Sequence, residues 1–465
     1  MKVLLVEPPV SPYDVPTTIL AMAPPHHLEI IAGALTSYHD VRIFDMRIED
    51  DFLSVMSDFQ PDIVGSSCVA ANSHLAKSLL KQVKDFNREI FTVLGGHHPS
   101  LMPNDCDDDC VDAVVIGEGE ETIVELTAKY ETNRSLSNIR GIAFRDKDGN
   151  FKINPLRELM DLNTLPRPAR NLTQKYRKKE QYFRASWRPI DCIISSRGCP
   201  FKCKFCGLWK INRGKYRYRD PELIADELET ISDTFISFID DNTLDHTTYA
   251  FQLAEIIKQR QLSKKFELYG RADTIARHPE LVEKWRDVGM ELLLVGLESC
   301  DNNALKEMNK HTTLEMNKKA IEICRTNGVE LAAYLIVDPD FDHDDFKRLS
   351  EYVSQNNLTH PVFTVLSPFP GTDFYNEVKH KLITKSFQLL DFFHTVLPTK
   401  LPLDEFYEEF LNLYRNAYPT KNFIKAIFQG KAFLKPRMIV KNYKFRKRMQ
   451  ALRSHHDLIQ ATEHF

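Results

Sequence analysis

Ser196-Arg197-Gly198-Cys199-Pro200-Phe201-Lys202-Cys203-Lys204-Phe205-Cys206 places three cysteines on one short stretch, separated by three and then two residues. Thiolates at that spacing can converge from a single loop on one metal centre. Neither Cys192 nor Cys300 continues the pattern, so the set is three. A structural zinc site wants four ligands. A [4Fe–4S] cluster held by three thiolates leaves one iron open to a small molecule. The nine cysteines are an odd number, spread over 465 residues, which argues against a disulfide scaffold and for reduced thiols in a cytoplasmic protein. On these residues alone, a non-catalytic iron–sulfur or zinc-binding protein stays open as an alternative.

Working outward, a strand-like run Asp191–Ser195 leads into the loop, and further runs follow at Phe235–Ile239, Phe266–Tyr269, Glu291–Gly296, Glu330–Val337 and Phe363–Leu366. Helical patterns lie between them. Six β/α repeats are too few for a closed eight-stranded barrel and predict a partial (β/α)6 barrel over 190–382. Upstream, apolar runs at Lys2–Glu7, Val41–Met46, Asp62–Cys68, Phe91–Gly96 and Val111–Gly117 alternate with amphipathic stretches. That pattern predicts an α/β domain over 1–135, a flavodoxin-like doubly wound parallel sheet with ligands beyond the strands' carboxyl ends. Residues 136–189 read as a hairpin turning at Asp148-Gly149, then a linker over the surface. Residues 383–465 read as a helical C-terminal region ending in a basic, aromatic tail.

With Phe205 between its last two cysteines, the loop resembles the Cys-x3-Cys-x-aromatic-Cys hallmark of radical S-adenosylmethionine enzymes. The resemblance implies a [4Fe–4S] cluster on Cys199, Cys203 and Cys206, with S-adenosylmethionine on the open iron. It also places cofactor contacts at Phe205 and at the ends of the barrel strands: Asp240 and Asp241, Arg271 toward the methionyl carboxylate, and Glu298 toward the ribose. A reducing partner such as flavodoxin or ferredoxin is implied too.

Glu7-Pro8-Pro9, Gly95-Gly96-His97-His98-Pro99-Ser100 and Gly117-Glu118-Gly119-Glu120 follow successive strands of the first domain. Together they resemble the cobalamin-binding subgroup, which implies cobalamin contacts at Glu7, Pro8, Gly95, Gly96, His97, Gly117, Glu118 and Gly119. The sequence departs from many cobalamin domains in having no Asp-x-His-x-x-Gly, so a histidine beneath the cobalt is not expected. Leu366-Ser367-Pro368-Phe369-Pro370-Gly371-Thr372 resembles a turn of the same subgroup. With the apolar run from Phe392 to Tyr407, it resembles the hopanoid C-3 methylases. The implied reaction is methylation of an unactivated carbon, on an apolar lipid or triterpenoid, with no protein base required. The alternative is a radical enzyme without cobalamin that cyclises, rearranges or oxidises its substrate.

Composition narrows the field. Hydrophobic residues make up 43% and charged residues 27%, an ordinary globular balance, and the net charge of −4 argues against a nucleic-acid binder. No apolar run is long enough to cross a bilayer, and the N-terminus reads as a strand rather than a signal peptide. The charge is segregated. The last 45 residues hold eleven Lys or Arg against Asp457 and Glu463, net +9, which leaves −13 on residues 1–420. The cations of 421–453, interleaved with aromatics, predict peripheral contact with an anionic inner-membrane surface.

Overall fold

The computed structural model describes residues 1–13, 21–133, 135–184, 187–418 and 447–463. The first sheet is built on five short apolar strands: β1 (Lys2–Glu7), β2 (Asp40–Asp45), β3 (Ile63–Ser67), β4 (Phe91–Gly95) and β5 (Ala113–Val115). They are parallel, in the order β2-β1-β3-β4-β5. Both faces are covered, so neither can be polar. Leu4 and Val6 point into one core with Phe44, Phe52, Met56 and Leu80. Val3 and Leu5 point into the other with Leu28, Ala32, Val41 and Ile43. In helix Ser73–Phe86 the apolar positions Ala76, Leu79, Leu80 and Val83 fall on one stripe and are buried.

Two features differ from expectation. The hairpin strands β6 (Ile142–Arg145) and β7 (Phe151–Ile153) extend the first sheet, with β6 antiparallel to β5, so the sheet runs past residue 135. The segment expected to run over the surface is anchored in the interior at several points. Met160, Leu162 and Leu165 bury with Ile30 and Ile194, and Tyr176 and Tyr182 bury with Ile190. Arg170 and Arg177 are spent on buried acids of both domains. Arg177 meets Glu29 at 2.6 Å and Asp191 at 2.8 Å, and Arg170 meets Glu227 at 2.7 Å.

The second sheet holds β8 (Ile190–Ile193), β9 (Phe235–Phe238), β10 (Lys265–Gly270), β11 (Met290–Glu298), β12 (Glu330–Val337) and β13 (His360–Val365). All are parallel and lie in chain order. Alternate residues of β12 divide between the helix-facing core (Leu331, Ala333, Leu335) and the barrel interior (Ala332, Tyr334, Ile336). Trp285 is wholly buried outside the sheet, edge-on to Phe238 and Phe266.

Helix Leu403–Ala417 lies along the β13 edge. The Tyr414 hydroxyl donates to the Phe363 carbonyl at 2.6 Å and accepts from the Phe363 N–H at 3.1 Å; the Tyr418 hydroxyl donates to the Pro361 carbonyl at 2.9 Å. Helix Leu452–Glu463 follows and packs on Leu403–Ala417. Most of the basic tail, residues 419–446, lies outside the described residues, and with it the expected membrane contact; Arg453 pairs with Asp404 and Asp457. No helix among the described residues is long and apolar enough to cross a membrane.

Candidate functional site

The cysteine loop leaves β8 through a two-residue ribbon, Ser196–Arg197 paired with Arg217–Tyr218. Gly198 then turns with φ +96°, and a Cβ there would overlap the Lys215 carbonyl oxygen, so only glycine fits. The loop is pinned from several sides. Lys204 N–H donates to the Met308 carbonyl at 3.1 Å, Asn309 Nδ2 to the Lys202 carbonyl at 2.7 Å, and Trp209 Nε1 to the Cys203 carbonyl at 3.3 Å. Cys199, Cys203 and Cys206 are unpaired thiols lining one cavity, and no other cysteine among the described residues lines it. Burial pushes the Cys199 thiol up to about 11 and the Cys206 thiol up to about 12. Three thiols on one pinned loop suit a cluster with one open iron better than a closed four-ligand zinc site.

The strand ends contribute differently from one another. Asp240 is buried, with Oδ1 accepting from the N–H groups of Ser195 (2.8 Å) and Ser196 (3.0 Å) and Oδ2 from Ser195 Oγ (2.5 Å). Its side chain therefore holds the loop entrance and does not line the cavity. Asp241 does line it, and accepts from Gly198 N–H at 2.7 Å; burial raises its carboxyl above the usual range. Arg271 lines the cavity with its guanidinium 3.5 Å from the centre of the Phe201 ring, while Nε donates to Asp273 at 2.9 Å and Nη2 to the Lys310 carbonyl at 2.5 Å. Glu298 sits at φ +62° beside a register shift between β11 and β12. Its carboxylate folds over Gly296 and accepts from Lys310 Nζ at 2.6 Å. Phe205 lines the same wall.

The cavity has a volume of about 2320 Å³ and runs from the cysteine loop through the barrel interior, with the first domain forming part of its wall. Residues 193–353 match the family model described as the Radical SAM superfamily, and residues 15–127 that of the B12 binding domain. The hopanoid C-3 methylase of Methylococcus capsulatus is 31% identical over 425 residues, covering 90% of this chain and 80% of that protein. The chain belongs to the cobalamin-binding radical S-adenosylmethionine enzymes. The anaerobic magnesium-protoporphyrin IX monomethyl ester cyclase of Rubrivivax gelatinosus is 26% identical over 449 residues, covering 92% of this chain and 79% of the other. The fold is shared with the radical S-adenosylmethionine methyltransferase TsrM from Kitasatospora setae, solved with cobalamin and a [4Fe–4S] cluster bound. The TM-score is 0.69 at 16% identity, covering 97% of this chain and 99% of that one.

As a radical S-adenosylmethionine enzyme of this group, the chain works with a [4Fe–4S] cluster, S-adenosylmethionine and cobalamin. Its cobalamin-binding domain presents Glu7, Pro8, Pro9 and the stretch from Val69 to Asn72 to the cavity, with His97 and His98. Burial alone would raise the Glu7 carboxyl, but Arg47 and His27 hold it below the usual range. Burial lowers the His97 imidazole, so it is neutral at pH 7. His98 is committed elsewhere, with Nε2 2.7 Å from Asp105 Oδ2. Gly95, Gly96, Gly117, Glu118 and Gly119 do not line this cavity. Gly96 turns with φ +107°, and a Cβ there would come 2.6 Å from the Cys68 carbonyl oxygen. Gly117 and Glu118 line a separate pocket of about 260 Å³.

Sequence reasoning missed Lys310, Tyr269, Tyr334, Arg184 and Trp187, all on the cavity wall. The two-residue period of β12 carries the signal for Tyr334. Arg184 and Trp187 sit in an aperiodic segment and carry none.

Proposed function

We propose that this enzyme transfers a methyl group to an unactivated carbon of an apolar, polycyclic lipid. The observation that carries the reading is the continuous cavity, which joins the cysteine loop, the cobalamin-binding domain and an apolar barrel interior walled by Leu292, Leu294, Ala332 and Val362. Its volume exceeds the roughly 1,000 Å³ upper end of single-ligand pockets, which supports several ligands held together. Polar groups on that wall, Arg184 (whose Nε meets Glu267 Oε2 at 2.5 Å) with Tyr269 and Tyr334 beside it, support a substrate that carries an oxygen function. The hopanoid C-3 methylase relative points to the same substrate class.

In this reading Cys199, Cys203 and Cys206 hold the cluster. Asp241, Arg271, Glu298 and Phe205 position S-adenosylmethionine, and Glu7, Pro8 and His97 face cobalamin. When bound, the cluster and S-adenosylmethionine supply a hydrogen-abstracting radical, and cobalamin carries the methyl group. The apolar wall excludes water that would quench a radical. An electron donor of the flavodoxin or ferredoxin type completes the system.

The test is anaerobic reconstitution with iron, sulfide and cobalamin, followed by S-adenosylmethionine, a reductant and a hopanoid. The expected outcome is a product heavier by one methylene unit, lost when Cys199, Cys203 or Cys206 is replaced by Ala. A product of cyclisation or oxidation with no added carbon overturns methyl transfer.

A further inference from the structure

Glu118 stands in a glycine-flanked turn of the cobalamin-binding domain, yet its carboxylate turns away from the large cavity toward the second domain. Oε1 accepts from Arg197 Nη1 at 2.8 Å and Arg217 Nη2 at 3.0 Å; Oε2 accepts from Arg217 Nη1 at 3.0 Å and the Met160 N–H at 2.9 Å. Arg197 Nη2 donates to Glu120 Oε1 at 2.5 Å. The two arginines face each other across the ribbon that opens the cysteine loop, and Arg197 lies two residues before Cys199. From Arg217 the bonds continue: Nη2 donates to Asn212 Oδ1 at 3.1 Å, Asn212 Nδ2 to Asp241 Oδ2 at 3.2 Å, and Gly198 N–H to the same oxygen at 2.7 Å.

The far end of the loop is held by the same domain. Leu101, on the short helix that begins with His97, packs where Gly207 and Gly371 have no side chain; a Cβ at either glycine would come within 2.7 Å of it. The cysteine loop is thus gripped by the cobalamin-binding domain before its first cysteine and after its last. Charged, two-pronged hydrogen bonds fix angle as well as distance, which an apolar contact does not.

We propose that Glu118 is a positioning residue that sets the cysteine loop against the cobalamin-binding domain, and so registers the iron–sulfur and cobalamin sites on each other. This rests on the family's cofactors and not on the substrate, so it survives a wrong lipid assignment. A misplacement of about an ångström is enough to cost large factors in a reaction that needs both centres.

The decisive readout is magnetic. In full-length protein holding reduced cluster and cob(II)alamin, the relaxation enhancement of the cobalt electron-spin signal by the cluster reports their separation without substrate. E118A is expected to weaken and broaden that coupling at full iron and cobalt content, and E118D to restore part of it. In turnover, the methyl transferred per 5′-deoxyadenosine released is expected to fall by roughly tenfold, with 5′-deoxyadenosine release itself held within about twofold. Should E118A fail to fold, E118Q, which keeps the shape and loses the charge, is read in the same way. Unchanged coupling in a folded, fully loaded Glu118 variant overturns the proposal. A methylation assay that fails with every lipid, beside altered coupling in E118A, overturns only the substrate reading.

Discussion

Asp240 and Ser195 join the end of one barrel strand to the exit of its neighbour through both carboxylate oxygens, at 2.8 Å to the Ser195 N–H and 2.5 Å to its hydroxyl. Burial pushes the Asp240 carboxyl up to about 6, so near pH 7 the charge is kept in the interior at a cost. Removing it with D240A leaves buried donors unmet, at about 1–3 kcal/mol each, but also removes that charge. The expected result is a local defect: iron retained after anaerobic reconstitution falls severalfold while the melting temperature moves little. Full iron occupancy in D240A would show that the loop entrance holds without it.

Arg271 is held in three ways, by the Phe201 ring, by Asp273 and by the Lys310 carbonyl. Lysine cannot reproduce the planar stack and fork. R271K is therefore expected to weaken S-adenosylmethionine binding by about tenfold, roughly the loss of one charged hydrogen bond, with iron content unchanged. Equilibrium binding under anaerobic conditions measures it, and equal affinity would remove Arg271 from the cofactor site.

The last helix docks through histidines. His394 Nδ1 lies 2.9 Å from Asp391 Oδ2, its Nε2 lies 3.1 Å from His455 Nδ1, and His456 Nε2 lies 2.7 Å from the Tyr407 hydroxyl. Burial, with His394 nearby, presses His455 and His456 down to about 4 from 6.5. The folded state thus binds protons less readily than the unfolded one. Docking is fully stable above pH 6.5 and weakens as pH falls toward 4, by up to about 3 kcal/mol for the buried His456. Amide protection factors over Leu452–Glu463, taken relative to the intrinsic exchange rate at each pH, are expected to fall across that window, and less so in an H455Q/H456Q variant. Identical pH dependence in the two proteins would exclude the histidines as the cause.

Tyr414 serves both backbone groups of Phe363. Y414F keeps the ring and removes the hydroxyl, leaving a buried amide and carbonyl without it, and is expected to cost about 1–3 kcal/mol in denaturant unfolding. A variant as stable as the parent would mean that other contacts alone secure the edge.

Both sheets were legible in the sequence because their strands are buried on two faces and so read as continuous apolar runs. The hairpin was legible from Asp148-Gly149, but its place beside Ala113–Val115 was not, since strand pairing depends on a partner far away in sequence. The segment around Arg170 and Arg177 read as surface because its neutralising partners, Glu29, Asp191 and Glu227, are equally remote. The cysteine loop was legible because cluster ligation is a local pattern. The turn that carries Glu118 was legible from its glycines, but its ion pairs were not, since nothing local announces Arg197 and Arg217.

The phenols along β13 also bear on how the molecule meets its own kind. A parallel sheet that stops at six strands ends in amides and carbonyls that a strand from another chain can read as a template. Tyr414 on a helix and Tyr418 just past its end occupy that rim, and a helix offers no ladder for the next strand to continue. At this edge the backbone groups of Pro361 and Phe363 are therefore taken, and a strand from another chain cannot pair there.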